Sequence, residues 1–247
     1  MATDAMRQQY VPAVRTRPMA ERVFFSGMIL LLWASVLYGF AKTYFLAGMI
    51  HAPLPNRLIH IHGAVFTLWM VLLLVQEGLI TIRKIAWHRA LGLFGFALAA
   101  TMVILGPIAA TDSLRRGVGL QGLDAKTFYI IPLSAIAMFA VLVFFAYRMR
   151  RKPAAHKRLI LIATINIAGA AFARWPIAIL QEKPPLLNLV TLAFLLAIVA
   201  YDLYSVRRVQ KTTIWASVFV MVVQLVRVPI GFTPAWHSFA TWMATNG

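Results

Sequence analysis

The chain has 247 residues, of which 61% are hydrophobic and only 13% are charged. Soluble domains carry about 25% charged residues, so the chain has too little polar surface for a globule that faces water on all sides. It contains no cysteine, which excludes disulfides, iron–sulfur clusters, thiolate zinc sites and cysteine nucleophiles.

Seven long apolar stretches, separated by short polar or basic links, fill most of the sequence. A helix of about 20 apolar residues crosses the ~30 Å hydrocarbon core of a bilayer. We therefore predict an all-α integral membrane bundle of seven transmembrane helices, flanked by an N-terminal segment (1–22) and a tail (233–247). The predicted spans are residues 23–46, 58–82, 90–110, 128–147, 159–180, 186–204 and 213–232.

The net charge of +17 is distributed as in membrane proteins. The N-terminal segment and the links after the second, fourth and sixth spans carry most of the lysines and arginines. The positive-inside rule makes this side cytoplasmic, with the N-terminus inside and the C-terminus outside. Anionic lipid headgroups are sufficient partners for this charge, and we expect no nucleic acid.

The second span carries a stripe of polar and aromatic residues. It runs from His62 through Phe66 and Trp69 to Gln76, with Glu77 beside it. Polar and ionisable groups within a membrane span usually face the bundle interior, so we expect this stripe to face other helices. The simplest role for His62 is that of a hydrogen-bonded histidine between helices.

A histidine lies within three residues before the start of the third span and of the fifth span, namely His88 and His156. Since both stand where a span leaves the cytoplasmic side, the topology puts them at equal depth. They either meet, as two metal ligands or a proton-relay pair, or each contacts headgroups with the basic residues around it. Gly92 and Gly95, on the face of the third span, admit either a closely packed helix or a flat ligand.

The sixth span ends with a carboxylate, Asp202, shortly before Arg207 and Arg208. We expect a structural salt bridge with these arginines. The alternative is a proton-accepting role beside His88 and His156.

The fifth and seventh spans contain further polar residues. Arg174 and Arg227 lie toward the outer side, where they either snorkel outward or turn inward and form, with His62, a cationic cavity for an anionic group. Asn166 and Gln224 lie nearer the middle of the membrane.

Two segments outside the spans have distinct compositions. Residues 111–127 contain three glycines and are predicted to form a flexible outer loop. In the tail, Trp236, Phe239 and Trp242 recur at three-residue spacing. This spacing predicts a short interfacial helix over residues 235–243, at the outer headgroups.

Three elements resemble a group of uncharacterised bacterial multi-span membrane proteins. They are RLIHIHGAVFTLWMVLLLVQ from Arg57, WHRALGLFG from Trp87 and YDLYSVRRV from Tyr201. The resemblance implies the bacterial inner membrane but supplies no activity.

The histidines of the third and fifth spans are similar to a haem-ligand pair in b-type cytochrome membrane domains of the cytochrome b561 kind. That resemblance implies haem b between His88 and His156, with Gly92 and Gly95 leaving room for the ring, and electron exchange with a quinone. The fourth span has no histidine, so a second haem is not expected.

Two other classes of function stay open. One is a transporter or a lipid- or anion-binding membrane protein, and the other is an accessory subunit or assembly factor with a membrane-protein partner. The sequence has no Walker A loop, dinucleotide glycine fingerprint, GxSxG elbow or HExxH motif.

Overall fold

The computed structural model describes residues 18–47, 49, 56–120, 122–183 and 185–246. The described residues form nine α-helices, and the first continues into a π-helical turn, Ala41–Phe45. The helices are α1 Pro18–Phe40, α2 Arg57–Thr81, α3 Ile85–Arg115, α4 Ala125–Arg148, α5 Pro153–Phe172, α6 Ala178–Glu182, α7 Leu186–Val206, α8 Lys211–Gly231 and α9 Pro234–Asn246.

Six of these helices are long and apolar enough to cross a membrane, namely α1, α2, α3, α4, α7 and α8. Their outward faces carry large apolar side chains, and Leu30, Ile104 and Leu225 are each more than half exposed. Such a surface is stable in lipid rather than in water. The predicted all-α membrane class is therefore confirmed, with six of the seven predicted spans.

The predicted fifth span corresponds to α5, which is not among the six. Its first turns carry His156, Lys157 and Arg158, which lower the apolar content of a helix of only 20 residues. It lies at the centre of the bundle, packed against α1, α4, α7 and α8. Protein rather than lipid surrounds it, which lets a less apolar sequence occupy this position.

The predicted limits of the fifth span, 159–180, are wrong at both ends. The helix begins at Pro153, because proline is well suited to a first helical turn and the alanines and basic residues after it favour helix. It ends at Phe172, and the chain turns at 173–177 before α6. Pro176 lies in this turn, and a residue before proline is unfavourable in a helix.

The predicted outer loop, 111–127, is shorter in the structure because α3 continues to Arg115. Asp124 caps α4, accepting hydrogen bonds from the backbone N–H groups of Lys126 and Thr127 at 2.9 and 3.1 Å. Two turn positions, Gly117 and Gly122, have φ of 68° and 78°, a conformation that glycine adopts readily.

At the chain ends, residues 1–17 of the predicted N-terminal segment lie outside the described residues, and 18–22 open α1. The predicted tail helix is present as α9, which packs against α3, α4 and α8. The Trp236 indole N–H donates to the Lys126 carbonyl at 2.8 Å, while Phe239 and Trp242 are exposed. A place for α9 at the membrane surface stays a prediction.

Candidate functional site

Helices α1 to α5 line a cavity of about 860 Å³ at the end of the bundle that holds the α2–α3 and α4–α5 links. Its volume lies in the range of small-molecule and cofactor sites. Most of the wall is apolar, with Phe25, Trp69 and Phe96 among the aromatic residues. Six of the candidate site residues predicted from the sequence line this cavity: Gln76, Glu77, His88, Gly92, Gly95 and His156.

The two histidines reach the cavity from the first turns of their helices. His88 comes from α3 and His156 from α5, and the links just before these helices run along the same end of the bundle. The structure thus brings together two side chains that are far apart in sequence.

His156 is held by its Nδ1 atom, which lies 3.0 Å from the carbonyl oxygen of Ala146 in α4. A carbonyl oxygen only accepts hydrogen bonds, so Nδ1 carries a proton. In the neutral ring, Nε2 then bears a lone pair. The Phe96 ring lies beside the imidazole, with 6.3 Å between ring centroids.

His88 is contacted by the side chain of Gln76, which lies across the first turns of α3. Its amide orientation is assigned from the neighbouring groups: with the nitrogen toward His88, the nitrogen donates to His88 Nδ1 at 2.7 Å and to the His88 carbonyl oxygen at 3.2 Å, and the amide oxygen accepts from the Gly92 N–H at 3.0 Å. These neighbours orient the amide. The reverse orientation would set its oxygen against a carbonyl oxygen and its nitrogen against an N–H group.

The two glycines have different surroundings. A Cβ atom on Gly95 would lie 3.0 Å from Leu72 Cδ2, so this position serves close packing of α2 on α3 as well as lining the cavity. A Cβ atom on Gly92 would lie 3.6 Å from the side-chain amide of Gln76, an ordinary contact distance.

Charged groups surround the mouth of the cavity. Glu21 forms an ion pair with Lys157, and Glu77 Oε1 accepts a hydrogen bond from Ser26 Oγ at 2.8 Å. Four arginines add positive charge and are exposed at this end of the bundle: Arg22, Arg89, Arg150 and Arg151.

Asp202 belongs to a separate buried network, and the expected bridge to Arg207 or Arg208 is wrong. Its Oδ1 accepts from Arg158, whose Nε lies 2.9 Å away, and its Oδ2 accepts from Thr213 Oγ1 at 2.6 Å. The backbone of Arg207 has φ of 57° and turns the chain at the end of α7. The Gln210 N–H then donates to Oδ2 at 3.0 Å.

Both oxygens of Asp202 are therefore engaged in joining α5, α7 and α8. This assigns the carboxylate a structural role and leaves little support for the alternative of a proton acceptor beside the histidines. Sequence reasoning missed Arg158, although a buried carboxylate needs a cationic partner and Arg158 lies at the same end of its helix.

The other polar residues lie away from the cavity. Asn166 Nδ2 donates to the Ala135 carbonyl of α4 at 2.7 Å, and Gln224 is buried in α8. Arg174 donates to the Ala170 carbonyl at 2.7 Å and lies 4.8 Å from the Phe40 ring. His62 stacks on its neighbour in α2, Phe66. An outer anion site shared by His62, Arg174 and Arg227 stays a prediction.

Within the described ranges, no three His, Asp or Glu side chains gather in a way that could hold a metal ion. The candidate metal ligands at the cavity are thus a pair of histidines. No protein-family model, curated protein or solved structure matches the chain. Its function must be inferred from the geometry of this site.

Proposed function

We propose that the chain is a multi-pass protein of the bacterial inner membrane that binds one b-type haem in the cavity and transfers electrons, with a quinone as its exchange partner. The observation that carries this proposal is the presence of His88 and His156, from two different helices, in one largely apolar cavity of about 860 Å³. A haem ring supplies four nitrogen ligands itself, so it needs at most two from the protein.

The cavity fits such a group in three respects. His156 presents an Nε2 lone pair while its Nδ1–H is fixed by a carbonyl, as is usual for histidine ligands. The aromatic walls suit a flat apolar ring. The arginines at the mouth suit the two carboxylates of haem, since guanidinium groups bind carboxylates strongly. When bound, a haem supplies one-electron chemistry, which no side chain of this cavity provides.

The same proposal places α5 in the membrane as the seventh span. A helix of 20 residues is about 30 Å long, enough for the hydrocarbon core, and α5 is shielded from lipid by four neighbours. An odd number of spans puts the two ends of the chain on opposite sides of the membrane. The positive-inside rule then puts the N-terminus and the basic end of the cavity in the cytoplasm, and α9 outside.

An absorption spectrum tests haem binding. We expect protein purified in mild detergent from haem-supplied cells to show a Soret band, and His156→Ala to abolish it. His60→Ala is the matched control, because His60 is an exposed histidine of α2 and should leave the band unchanged. Colourless wild-type protein would contradict the proposal, and so would full colour in His156→Ala.

A second candidate function is binding of an anionic lipid, favoured by the same combination of apolar wall and basic mouth. A long-chain fatty acid would place its tail along the wall and its carboxylate at the arginines. Colourless protein that binds labelled fatty acid, and loses this binding when Arg22 and Arg89 are both changed to alanine, would favour this function over haem.

A further inference from the structure

We infer that His156 alone is poised to bind a metal in this cavity, and that Gln76 holds His88 as a hydrogen-bond donor facing the same space. This inference rests on the proposed function for the identity of the metal group. The tautomers of the two histidines, on which it depends, are properties of the protein itself.

The hydrogen bond of His156 leaves its Nε2 atom able to bind a metal. A histidine binds a metal through a ring nitrogen that carries a lone pair, and a hydrogen bond at the other nitrogen decides which one that is. At His156 the acceptor is a backbone carbonyl, that of Ala146. The proton is thus fixed on Nδ1, and Nε2 is available as a ligand.

At His88 the opposite tautomer follows. In the amide orientation assigned from the backbone of α3, its Nδ1 faces the amide nitrogen of Gln76 at 2.7 Å, and this nitrogen can only donate. Nδ1 must therefore accept the hydrogen bond, so the proton of the neutral ring is on Nε2. An Nε2–H group donates hydrogen bonds and cannot bind a metal.

The orientation of Gln76 is itself fixed by α3. Turning the amide over would remove the hydrogen bonds to the His88 carbonyl oxygen and from the Gly92 N–H, and would bring like groups together at both places. Gln76 is therefore a positioning residue that acts through His88. The site would then offer one ligand nitrogen from His156 and, from His88, one hydrogen-bond donor for an acceptor atom of a second molecule in the cavity.

The first test measures the tautomers without haem. Nitrogen NMR of the haem-free protein, labelled at histidine and held at about pH 8 where histidine is neutral, distinguishes the two forms. We expect Nε2–H at His88 and Nδ1–H at His156, with signals assigned by their loss in His88→Gln and His156→Gln.

Substitutions of Gln76 should then change His88 alone. A carboxylate only accepts, so Gln76→Glu should move the His88 proton to Nδ1, while Gln76→Leu should give a mixture of tautomers. Glu77→Gln is the matched control, because this neighbouring side chain contacts Ser26 instead. Nδ1–H at His88 in the wild type would overturn the inference.

The second test uses the haem-bound protein. We expect a high-spin ferric EPR signal in the wild type, from a single histidine ligand, and a shift to a low-spin signal in Gln76→Glu, where His88 can also bind. A low-spin wild type that no Gln76 substitution affects would overturn the inference. If no haem binds, the proposed function fails, and the tautomer of His88 still decides the inference.

Discussion

Three carboxylates in or beside the bundle each contact a specific donor: Asp202 with Arg158, Glu77 with Ser26 and Glu21 with Lys157. Their surroundings differ in ways that decide their roles. Asp202 and Arg158 are almost completely buried, and each guanidinium nitrogen and each carboxylate oxygen has a hydrogen-bond partner. Glu77 and Glu21 instead line a cavity that opens at the end of the bundle. The first pair therefore has a structural role, joining buried helices, and the other two carboxylates are accessible to a ligand.

Replacing Asp202 by leucine should be strongly destabilising. It leaves Arg158 buried without its counter-charge, and removing one member of a buried ion pair costs about 3–5 kcal/mol. Denaturant unfolding in detergent should show this loss. The double variant Arg158→Leu/Asp202→Leu should lose less than either single change, because no unpaired charge remains. Wild-type stability of the Asp202→Leu protein would contradict a structural role for the pair.

The Asp124 cap of α4 should make the stability of the protein depend on pH in the acid range. The Thr127 side chain and the backbone N–H groups of Thr127 and Lys126 donate to Asp124, and they hold the pKa of its carboxyl below the ordinary value. The unfolded chain therefore binds this proton more readily, so the stability that Asp124 contributes is present above its unfolded pKa and lost as the pH falls through its native pKa.

Thermal unfolding measured as a function of pH tests the cap. We expect Asp124→Asn, which keeps a good capping group without a titrating proton, to flatten the acid limb of the profile. Asp124→Ala should lower the melting temperature near neutral pH as well. An acid limb identical in Asp124→Asn and the wild type would show that other groups cause it.

At the scale of the element, α1 approaches the backbone of α5 closely at Gly39. A Cβ atom on Gly39 would lie 2.3 Å from the backbone oxygen of Ala171, so no side chain fits there without moving a helix. Small residues at such contacts allow helices to pack closely in membranes, where hydrophobic burial between helices contributes little.

Gly39→Ala should therefore destabilise the bundle by about 1–3 kcal/mol, the usual range for overpacking. Gly27→Ala is the matched control in the same helix, because a Cβ atom on Gly27 would have no neighbour within 4 Å and alanine favours helix. Unfolding in detergent compares the two. Equal stability of the two variants would contradict the close packing of α1 on α5.

Across the whole molecule, the length of each apolar stretch predicted six spans well. Each helix that crosses lipid needs its own run of about 20 apolar residues, and such a run can be read from the sequence. The predicted bounds of the fifth span were wrong because protein surrounds this helix, so it does not need an unbroken run of apolar residues. Equal depth made a shared site for His88 and His156 one of two open possibilities, and the structure places both in one cavity. The Arg158–Asp202 pair and the Gln76–His88 contact depend on how neighbouring helices are rotated, which spacing along one chain does not specify.

The topology can be tested by single-cysteine labelling, since the chain has no cysteine of its own. Lys84→Cys and Lys152→Cys lie in the α2–α3 and α4–α5 links, and Val118→Cys lies in the α3–α4 link. With a membrane-impermeant reagent on intact cells, we expect labelling at 118 only. Labelling at either 84 or 152 would show that the basic end of the cavity does not face the cytoplasm, and would contradict the predicted topology.

Haem content per chain is the most direct test of the central claim. It is measured by the pyridine haemochromogen absorbance of purified protein against its concentration. We expect one b-type haem per chain in the wild type and none in His156→Ala. Absence of haem from wild-type protein made in haem-supplied cells, or equal content in the two proteins, would contradict a haem at this cavity.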